Sequence, residues 1–434
     1  MSDKTNNSPA YLFEPKSPLV FRTGRPFDQA GDPVSLDFPL PSTLAGACRT
    51  AIGDVKNQLE EGGFNFTQRG AELKGIPVHG PLAALITEEG AEPLFPKPAD
   101  AVYMRKESKK EDPERNKIET EILQLIPEDA GADTWSDLPK GLLPVYPEKE
   151  LAGKPYKDKK NARWWCQDRL TDWLLNNENL KKIAPKNLGW SGPQKELRTH
   201  VQLESKTLAA APSQLFQTNN LSFAPGRLNK DENRHEGWTE EQYGLLAHLP
   251  NDDLKGTSQL FRRIGGEGRI AHMKQHAEGW PGIPEALSSE LGKLEQDKEI
   301  RGIRLVLATP ALFTYGWRPG WIEDDMTGCP PGFSKDSEPR IRLRLRAFVT
   351  PRWEPVSGWD LVKNSQDNTE DKQEKKGPGA ARAVRRMVPA GAVYWFEVRA
   401  GHEHLPELWL QPISDLEQDQ NDGYGLVLPG IWKR

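Results

Sequence analysis

The sequence predicts an α+β protein in which short strands outnumber helices and long connections join them. Only 36% of its 434 residues are hydrophobic, which is low for a compact enzyme, while 38 glycines and 37 prolines indicate many turns. Most patterned segments alternate apolar and polar residues over short runs, which favours strands. The length exceeds that of one typical domain, so we expect two domains that carry insertions.

The first predicted elements are a strand and a helix. Tyr11–Phe21 is β-prone, but Pro15 and Pro18 break it, which suits an edge strand or an interrupted one. Further on, Ser42 or Thr43 is placed to cap a helix. Apolar or small residues at helical spacing mark this helix: Leu44, Ala47, Cys48 and Ala51.

Two charged segments with little periodicity are predicted to be exposed insertions. The first, Met104–Pro139, is rich in Lys, Glu, Asp and Pro, with a short helix expected around Ile118–Ile126. The second, Asn364–Lys376, contains no apolar residue. We expect no chemistry in the first segment.

The remaining elements follow from local patterns. A tryptophan-rich helix is predicted over Arg163–Leu175, and a strand with one wet face over Glu196–Leu203. Gly302–Thr309 and Tyr394–Val398 are predicted strands, and Arg382–Arg399 is predicted to form a hairpin that turns at its Pro-Ala-Gly sequence.

An arginine ladder is the strongest local pattern. Arg340, Arg342, Arg344 and Arg346 alternate with apolar residues, so a strand would place all four guanidinium groups on one face, about 6.6 Å apart. Such a ladder could follow a single-stranded phosphate backbone. The alternative is a solvated face that pairs with acidic neighbours or with a partner subunit.

The sequence RRIGGEGR is a second candidate site. Its glycines permit positive φ angles and close backbone approach, so exposed N–H groups could form an anion-binding nest between arginines. It lacks the Gly-Lys-Ser/Thr ending of a Walker loop. The alternative is a mobile hairpin tip. The candidate residues are Arg262, Arg263, Gly265, Gly266, Gly268 and Arg269.

A third glycine pattern, DGYGLVLPGIW, precedes the C-terminus. Gly423, Gly425 and Gly430 could bring the backbone close to phosphate or to another chain. The alternative is ordinary turn chemistry.

Composition and spacing narrow the possible functions. The net charge of −5 argues against binding nucleic acid through bulk charge, so a local basic surface would be needed. Without a signal peptide or an apolar span, we expect a cytoplasmic protein.

His402 and His404 flank Glu403, but no third ligand is evident, and we expect neither metal nor cofactor. The cysteines are too far apart to indicate a disulfide framework or a zinc site: Cys48, Cys166 and Cys329.

Taken together and in order, the motifs resemble those of the subunit-three family of the type III-B CRISPR (Cmr) effector complex, within the RAMP superfamily. The resemblance covers most of the chain. The motifs are FRTGRPF from Phe21, PLPSTLAGACR ending at Arg49, HGPL around Gly80, LFPKPAD at Leu94–Asp100, ELRTHVQLESKTLAAAPSQLF from Glu196, IGGEGR, LATPALFTYGWRP from Leu307, VSGWD from Val356 and RRMVPAGAVYWF from Arg385.

This resemblance implies a pair of ferredoxin-like (RRM-like) domains with glycine-rich loops, over 9–250 and 251–434, with insertions at about 104–160 and 360–380. It also implies a non-catalytic scaffold that caps the repeat-derived 5′ tag of the crRNA and docks onto the large polymerase/cyclase-like subunit. Neighbouring backbone subunits of the RAMP superfamily would cleave the target RNA, which this chain would meet only indirectly.

Several residues are carried over as RNA-facing or partner-facing. They are Ser42 and Arg49 on the first helix, the loop Gly265–Arg269, and Arg385 and Arg386 in the later hairpin. The ladder residues Arg342, Arg344 and Arg346 are RNA-binding candidates as well. Two other functions stay open. One is a metal-independent crRNA-processing endoribonuclease with His200 or His272 as acid or base, and the other is a protein-only adaptor.

Overall fold

The computed structural model describes most of the chain. The described residues are 9–22, 35–60, 65–105, 120–129, 137–149, 154–155, 158–204, 206–207, 209–224, 241–254, 256–257, 259–295, 300–336, 338–360 and 380–433. The predicted segment 364–376 therefore lies outside the described residues. Within the described part, no helix has the length and apolar character needed to cross a membrane.

Strands dominate the first part of the fold. They are β1 (Ala10–Pro15), β2 (His79–Ile86), β3 (Ala91–Pro96), β4 (Ala101–Arg105), β5 (Thr120–Pro127), β6 (Val145–Pro147), β7 (Lys154–Pro155), β8 (Trp164–Cys166), β9 (Gly189–Trp190), β10 (Gln194–Leu203), β11 (Ala210–Ser222), β12 (Gln242–His248), β13 (Gln259–Arg263) and β14 (Ile270–His276).

The later strands and the helices complete the inventory. The strands are β15 (Ile300–Leu307), β16 (Thr327–Gly328), β17 (Ser334–Lys335), β18 (Glu338–Pro339), β19 (Arg342–Val349), β20 (Glu354–Val356), β21 (Trp359–Asp360), β22 (Ala380–Ala381), β23 (Arg385–Met387), β24 (Val393–Ala400) and β25 (Val427–Lys433). The α-helices are α1 (Pro41–Leu59), α2 (Phe66–Lys74), α3 (Gln167–Leu174), α4 (Glu285–Gly292) and α5 (Glu417–Asn421), and the 3-10 helices are Glu178–Lys182, Pro185–Asn187 and His402–Leu408.

Two sheets organise these elements. The larger has eight strands in the order β13-β14-β1-β12-β2-β3-β8-β9, and the other has five in the order β16-β19-β24-β15-β25. Sheets and a few helices in one chain confirm the predicted α+β class. The eight-stranded sheet extends past residue 250, because β14 pairs with β1. The two ferredoxin-like domains and their boundary remain predictions.

The two faces of the eight-stranded sheet pack against different partners. Phe13 and Leu245 on one face share a buried cluster with Leu44 of α1. Leu12 and Leu246 point the opposite way, into a second cluster that includes residues of the five-stranded sheet. Because side chains alternate along a strand, consecutive residues serve both cores, and the central strands read as continuous apolar runs.

The insertion at 104–160 contains structure that the sequence pattern did not predict. The helix expected at Ile118–Ile126 is wrong, since Thr120–Pro127 forms β5 in a small sheet of order β6-β5-β4-β7. Ile122 and Leu123 are both buried there. Two consecutive buried residues fit a strand that is covered on both faces, which periodicity alone does not separate from a helix.

The structure corrects parts of three other predictions. The run Tyr11–Phe21 is interrupted after Pro15, as one reading predicted, but β1 is central because it pairs with β12 and β14. The tryptophan-rich segment begins as β8 and becomes helical only at Gln167. The predicted Arg382–Arg399 hairpin is wrong, since β23 pairs with β20 while β24 pairs with β15 and β19.

The strands β10 and β11 form a two-stranded ribbon. The strand predicted at Glu196–Leu203 is correct, but the expectation of a single wet face is wrong. Leu197, Val201 and Leu203 all remain exposed, together with Leu215 on β11. A ribbon has no second layer to bury its apolar side.

Candidate nucleic-acid interface

A cleft of about 470 Å³ lies beside the loop that joins β13 to β14. Its walls come from three parts of the chain: the segment after β1 at Val20–Arg22, the first turns of α1, and the glycine-rich loop. The cleft brings together four residues that the sequence predicted to face RNA: Ser42, Arg263, Gly265 and Gly266.

The α1 wall consists of small and polar side chains: Ser42, Thr43, Gly46, Ala47 and Thr50. A Cβ on Gly46 would meet no atom within 4 Å, so the cleft is open at this point. The first turn of α1 carries no acidic residue. The partial positive charge at the start of the helix is therefore not offset by its own side chains.

The start of α1 differs from the prediction. The helix begins at Pro41 with Leu40 as N-cap and without a side-chain cap, so the capping role given to Ser42 or Thr43 is wrong. Proline suits the first helical position because it has no N–H to satisfy and its φ is already helical. The Ser42 hydroxyl instead lies 3.0 Å from the Tyr424 hydroxyl.

The glycine-rich loop is a tight turn held against the segment after β1. Gly265 has φ +73°, and a Cβ there would lie 2.4 Å from the Val20 carbonyl oxygen, so only glycine fits. The Gly266 N–H donates to the same carbonyl at 2.8 Å. This N–H is therefore not available to an anion, which corrects the predicted nest at Gly266. Gly268 also has a positive φ, of +65°.

The Glu267 carboxylate is surrounded by cationic or basic groups. Arg269 lies 3.1 Å away, and Arg22 and His200 each lie 3.6 Å away. His200 belongs to β10, so the ribbon reaches the loop at this point. The position held by the carboxylate is one that a phosphate oxygen would also favour.

The arginines beside the loop differ in whether their guanidinium groups are free to bind an external anion. Arg262 points toward α1 and forms an ion pair with Asp54 at 3.0 Å. Arg263 is exposed, lines the cleft, and forms no ion pair or side-chain hydrogen bond within the described parts of the chain. It is therefore the loop arginine best placed to meet an external anion.

Arg49, predicted to face RNA, is buried and structural. It is 9% exposed and donates to the backbone oxygens of Ile76 and Asn421, and it forms an ion pair with Asp422. An arginine with nearly all of its donors engaged in the protein interior is poorly placed to bind a phosphate. The prediction for Arg49 is therefore corrected.

Arg385, also predicted as RNA-facing, is engaged in the same region. Both of its terminal nitrogens donate to Asp419 at 2.7 Å, and these hydrogen bonds raise the pKa of its guanidinium. Such a bidentate pair is a strong structural contact. The RNA-facing role of Arg385 stays a prediction. Arg386 is exposed, and its guanidinium lies 5.2 Å from the Trp353 ring centroid.

The arginine ladder has the predicted alternation but is partly occupied. Leu343, Leu345 and Ala347 are buried on one face of β19, and the guanidinium groups of Arg342, Arg344 and Arg346 belong to the other. Arg346 pairs with Glu397 at 3.0 Å, and the Leu143 N–H donates to the Arg346 carbonyl. Arg340 lies before the strand and pairs with Glu407. For Arg346 and Arg340, the alternative holds in which the ladder arginines pair with acidic neighbours of the same chain.

The C-terminal glycines pack within the molecule. A Cβ on Gly423 would lie 2.7 Å from the carbonyl oxygens of Val78 and Gly80, and one on Gly425 would lie 2.6 Å from the Ser414 hydroxyl. Close approach was predicted correctly, but the partner is this chain itself. Three residues next to these glycines form contacts that the sequence did not predict. Asp419 accepts from Arg385, Asp422 accepts from Arg49, and the Tyr424 hydroxyl contacts the Ser42 hydroxyl.

The histidines proposed for catalysis have neighbours of their own. His200 Nε2 lies 2.8 Å from the Thr218 hydroxyl, and the ring stacks on Phe216. His272 contacts Glu14 at 3.5 Å and Gln259 at 3.2 Å. Within the described part of the chain, no group of three His, Cys, Asp or Glu residues has the arrangement of a metal site.

Comparison with known proteins gives the family. The model of the family described as CRISPR-associated protein (Cas_Cmr3) matches residues 11–432. The chain belongs to the Cmr3 family. The resemblance recognised in the motifs is confirmed, and Cmr3 membership makes the chain a subunit of the type III-B complex.

Two solved structures are similar at low identity. A cryo-EM structure of type III-B Cmr-beta bound to cognate target RNA matches with 13% identity, a TM-score of 0.43, and coverage of 96% of both chains. A second, of Cmr-beta with cognate target RNA and AMPPnP, matches with 13% identity, a TM-score of 0.40, and coverage of 89% of this chain and 86% of that one. The comparison with curated proteins gave no match.

Proposed function

We propose that this Cmr3-family chain is a non-catalytic scaffold that binds the repeat-derived 5′ tag of the crRNA in the cleft beside its glycine-rich loop. The observation that carries the proposal is the convergence of the α1 start, the loop and Arg263 on one cleft. These are the groups that hold phosphate without reading bases.

The charge around the cleft supports a grip on the RNA backbone. The whole chain is acidic, with a formal charge of −5. Its cleft nevertheless carries Arg263 and Arg22, with Arg269 near Glu267. Binding through such a local patch is sensitive to salt, because each neutralised phosphate releases counterions.

The exposed ribbon supports the docking role. Val201 and Leu215 pair directly across β10 and β11 and are 45% and 68% exposed, with Leu203 exposed nearby. Apolar side chains exposed close together on a two-stranded ribbon are typical of a surface that is buried in an assembly. We propose that the chain uses such surfaces to contact the large polymerase/cyclase-like subunit and the backbone subunits, while target RNA is met only indirectly.

A carboxylate placed in the cleft tests the RNA site. Gly46→Glu adds a negative charge where the structure has open space, and we expect it to weaken binding of a labelled RNA carrying the 5′ tag by about tenfold, since unit charges close together at a protein surface interact by roughly 1–4 kcal/mol. Gly292→Glu is the matched control, because Gly292 is also an exposed helical glycine with open space around it.

The same experiment separates the other functions. Equal affinity of both variants and the parent chain would contradict the cleft assignment. Cleavage of repeat RNA in EDTA by the full chain, lost in His200→Ala or His272→Ala, would contradict the non-catalytic role. An assembled complex without RNA crosslinks on the cleft residues would favour the protein-only adaptor.

A further inference from the structure

The open end of the eight-stranded sheet carries an exposed aromatic pair outside the cleft. Phe261 on β13 and His272 on β14 are directly paired across the strands, and their rings stack with centroids 4.9 Å apart. Phe261 is 65% exposed, and the neighbouring Ile270 is 44% exposed. A large aromatic ring left this exposed contributes nothing to the core.

The pair lies on the sheet face opposite α1. Arg262, the next residue along β13, contacts Asp54 of α1, so Phe261 must point the other way. Farther along the sheet, this face is covered, because Leu12 and Leu246 on it are fully buried. At the β13–β14 end the same face is exposed in the part of the chain that the structure describes, and β13 is one of the two edge strands of the sheet.

Cationic side chains flank the pair. Arg263 follows Phe261 on the same face of β13, and Lys274 follows His272 on β14, with Lys16 next to the end of β1. The Glu14 carboxylate is the acidic group among them, contacting Lys16 at 3.0 Å and also Lys274 and His272. Glu14 therefore offsets only part of the positive charge that Arg263, Lys16 and Lys274 bring to this face beside the rings.

We infer that Phe261 and His272 form a stacking platform for an unpaired base of single-stranded RNA, with the flanking cations holding its phosphates. Aromatic rings within a basic surface are the usual means of binding single-stranded nucleic acid without sequence preference. Arg263 lines the cleft and belongs to the same face of β13 as Phe261, so it lies next to both surfaces. The inference rests on the proposed RNA-binding function and extends it to a second surface.

The test uses the full chain and a short RNA labelled with 2-aminopurine, whose fluorescence falls when the base stacks. We expect Phe261→Ala to weaken RNA binding between about fivefold and a hundredfold and to relieve the quenching, as one base–aromatic stack contributes roughly 1–3 kcal/mol. Phe261→Trp should retain both. Tyr315→Ala is the control, because Tyr315 is exposed elsewhere in the molecule.

The outcomes distinguish the platform from the cleft. If Gly46→Glu weakens binding while Phe261→Ala does not, the platform is wrong and the proposed function stands. If only Phe261→Ala weakens binding, the cleft is wrong and the platform stands. If Phe261→Ala leaves RNA affinity unchanged but prevents incorporation into the complex, the surface binds a protein and the inference is overturned.

Discussion

Single arginines in this molecule differ chiefly in whether a partner lies within the chain. Arg49 and Arg304 are buried and paired with Asp422 and Asp100, whereas Arg263 is exposed within the cleft. A buried guanidinium without a counter-charge would be strongly disfavoured, so burial and pairing occur together. An exposed guanidinium has no such requirement and is free to bind an external anion.

The buried pair between Asp100 and Arg304 gives a stability prediction. Both side chains are fully buried, at 2.6 Å, and Asp100 also accepts from the Trp173 indole at 3.0 Å. We expect Asp100→Ala to lower the free energy of unfolding by roughly 3–5 kcal/mol, because it leaves Arg304 charged and unpaired. Urea denaturation would measure the change.

The control for this prediction is an exposed pair. Asp37 contacts Arg163 at 3.4 Å and Lys195 at 2.6 Å near the surface. Asp37→Ala should change the free energy of unfolding by about 1 kcal/mol or less. Similar effects of the two substitutions would contradict the structural role assigned to Asp100.

Glu267 gives a second prediction at this scale. Its carboxylate neutralises Arg269 and Arg22 beside the cleft. Glu267→Gln removes this internal anion, and we expect the affinity for tag RNA to rise, with a steeper dependence on salt. Filter binding over a range of salt concentrations would measure both. Glu92→Gln, at an exposed position on β3, is the control, and weaker binding by Glu267→Gln would contradict the prediction.

Among the elements, the β10–β11 ribbon stands out because several of its apolar side chains are exposed to solvent. Its root is tied to the segment after β1 by reciprocal hydrogen bonds between Leu19 and Leu221. Toward its tip, Val201 and Leu215 face solvent. Exposed apolar area of this kind has little effect on the stability of the free chain and becomes favourable on association.

The ribbon prediction concerns assembly. We expect Val201→Thr combined with Leu215→Thr to leave the free energy of unfolding nearly unchanged while reducing co-purification with the other complex subunits. Leu416→Thr, at another exposed leucine, should affect neither. Destabilisation of the free chain by the double variant, with assembly intact, would show that the ribbon side chains serve folding.

At the scale of the whole molecule, contacts distant in sequence join the two sheets. Arg304 on β15 reaches Asp100 before β4 and the Trp173 carbonyl, and Gly423 packs on the backbone at Val78 and Gly80. Many residues of the recognised motifs therefore have structural roles. The HGPL and DGYG sequences meet each other.

We expect the neighbouring histidines His79 and His248, whose ring centroids lie 5.4 Å apart, to make the fold less stable in acid. Burial lowers the pKa of His79 to about 4, and burial together with His79 lowers the pKa of His248 to about 3. The unfolded chain takes up these protons near pH 6.5, so the stabilisation present above that pH is lost as the pH falls toward 4.

Melting temperatures measured from pH 7.5 to 4.5 would check this expectation. His248 stacks on Trp280, with ring centroids 5.2 Å apart, and neither ring nitrogen has a hydrogen-bond partner among the described residues. His248→Phe keeps the stacking and cannot be protonated, so its melting temperature should fall less steeply with acid. An identical pH dependence would exclude His248 as a cause.

Local patterns in the sequence were sufficient to predict the α+β fold class, the helix α1, strands such as β15 and β24, and the family. Apolar spacing along a strand or helix depends on neighbours a few residues apart, so it can be read without the fold. The alternation of arginines in β19 was predicted on the same basis. The single helix expected at Ile118–Ile126 failed because a strand buried on both faces has no alternation.

Only the tertiary structure decided which candidate residues face outward. Arg49, Arg263 and Arg385 look alike in sequence, but Asp422 lies 373 positions from Arg49, and Asp419 lies 34 positions from Arg385. Charge pairing and burial depend on such distant contacts, which no local pattern encodes. The Phe261–His272 platform emerged only from strand pairing, because the exposure of one sheet end depends on where the rest of the chain packs.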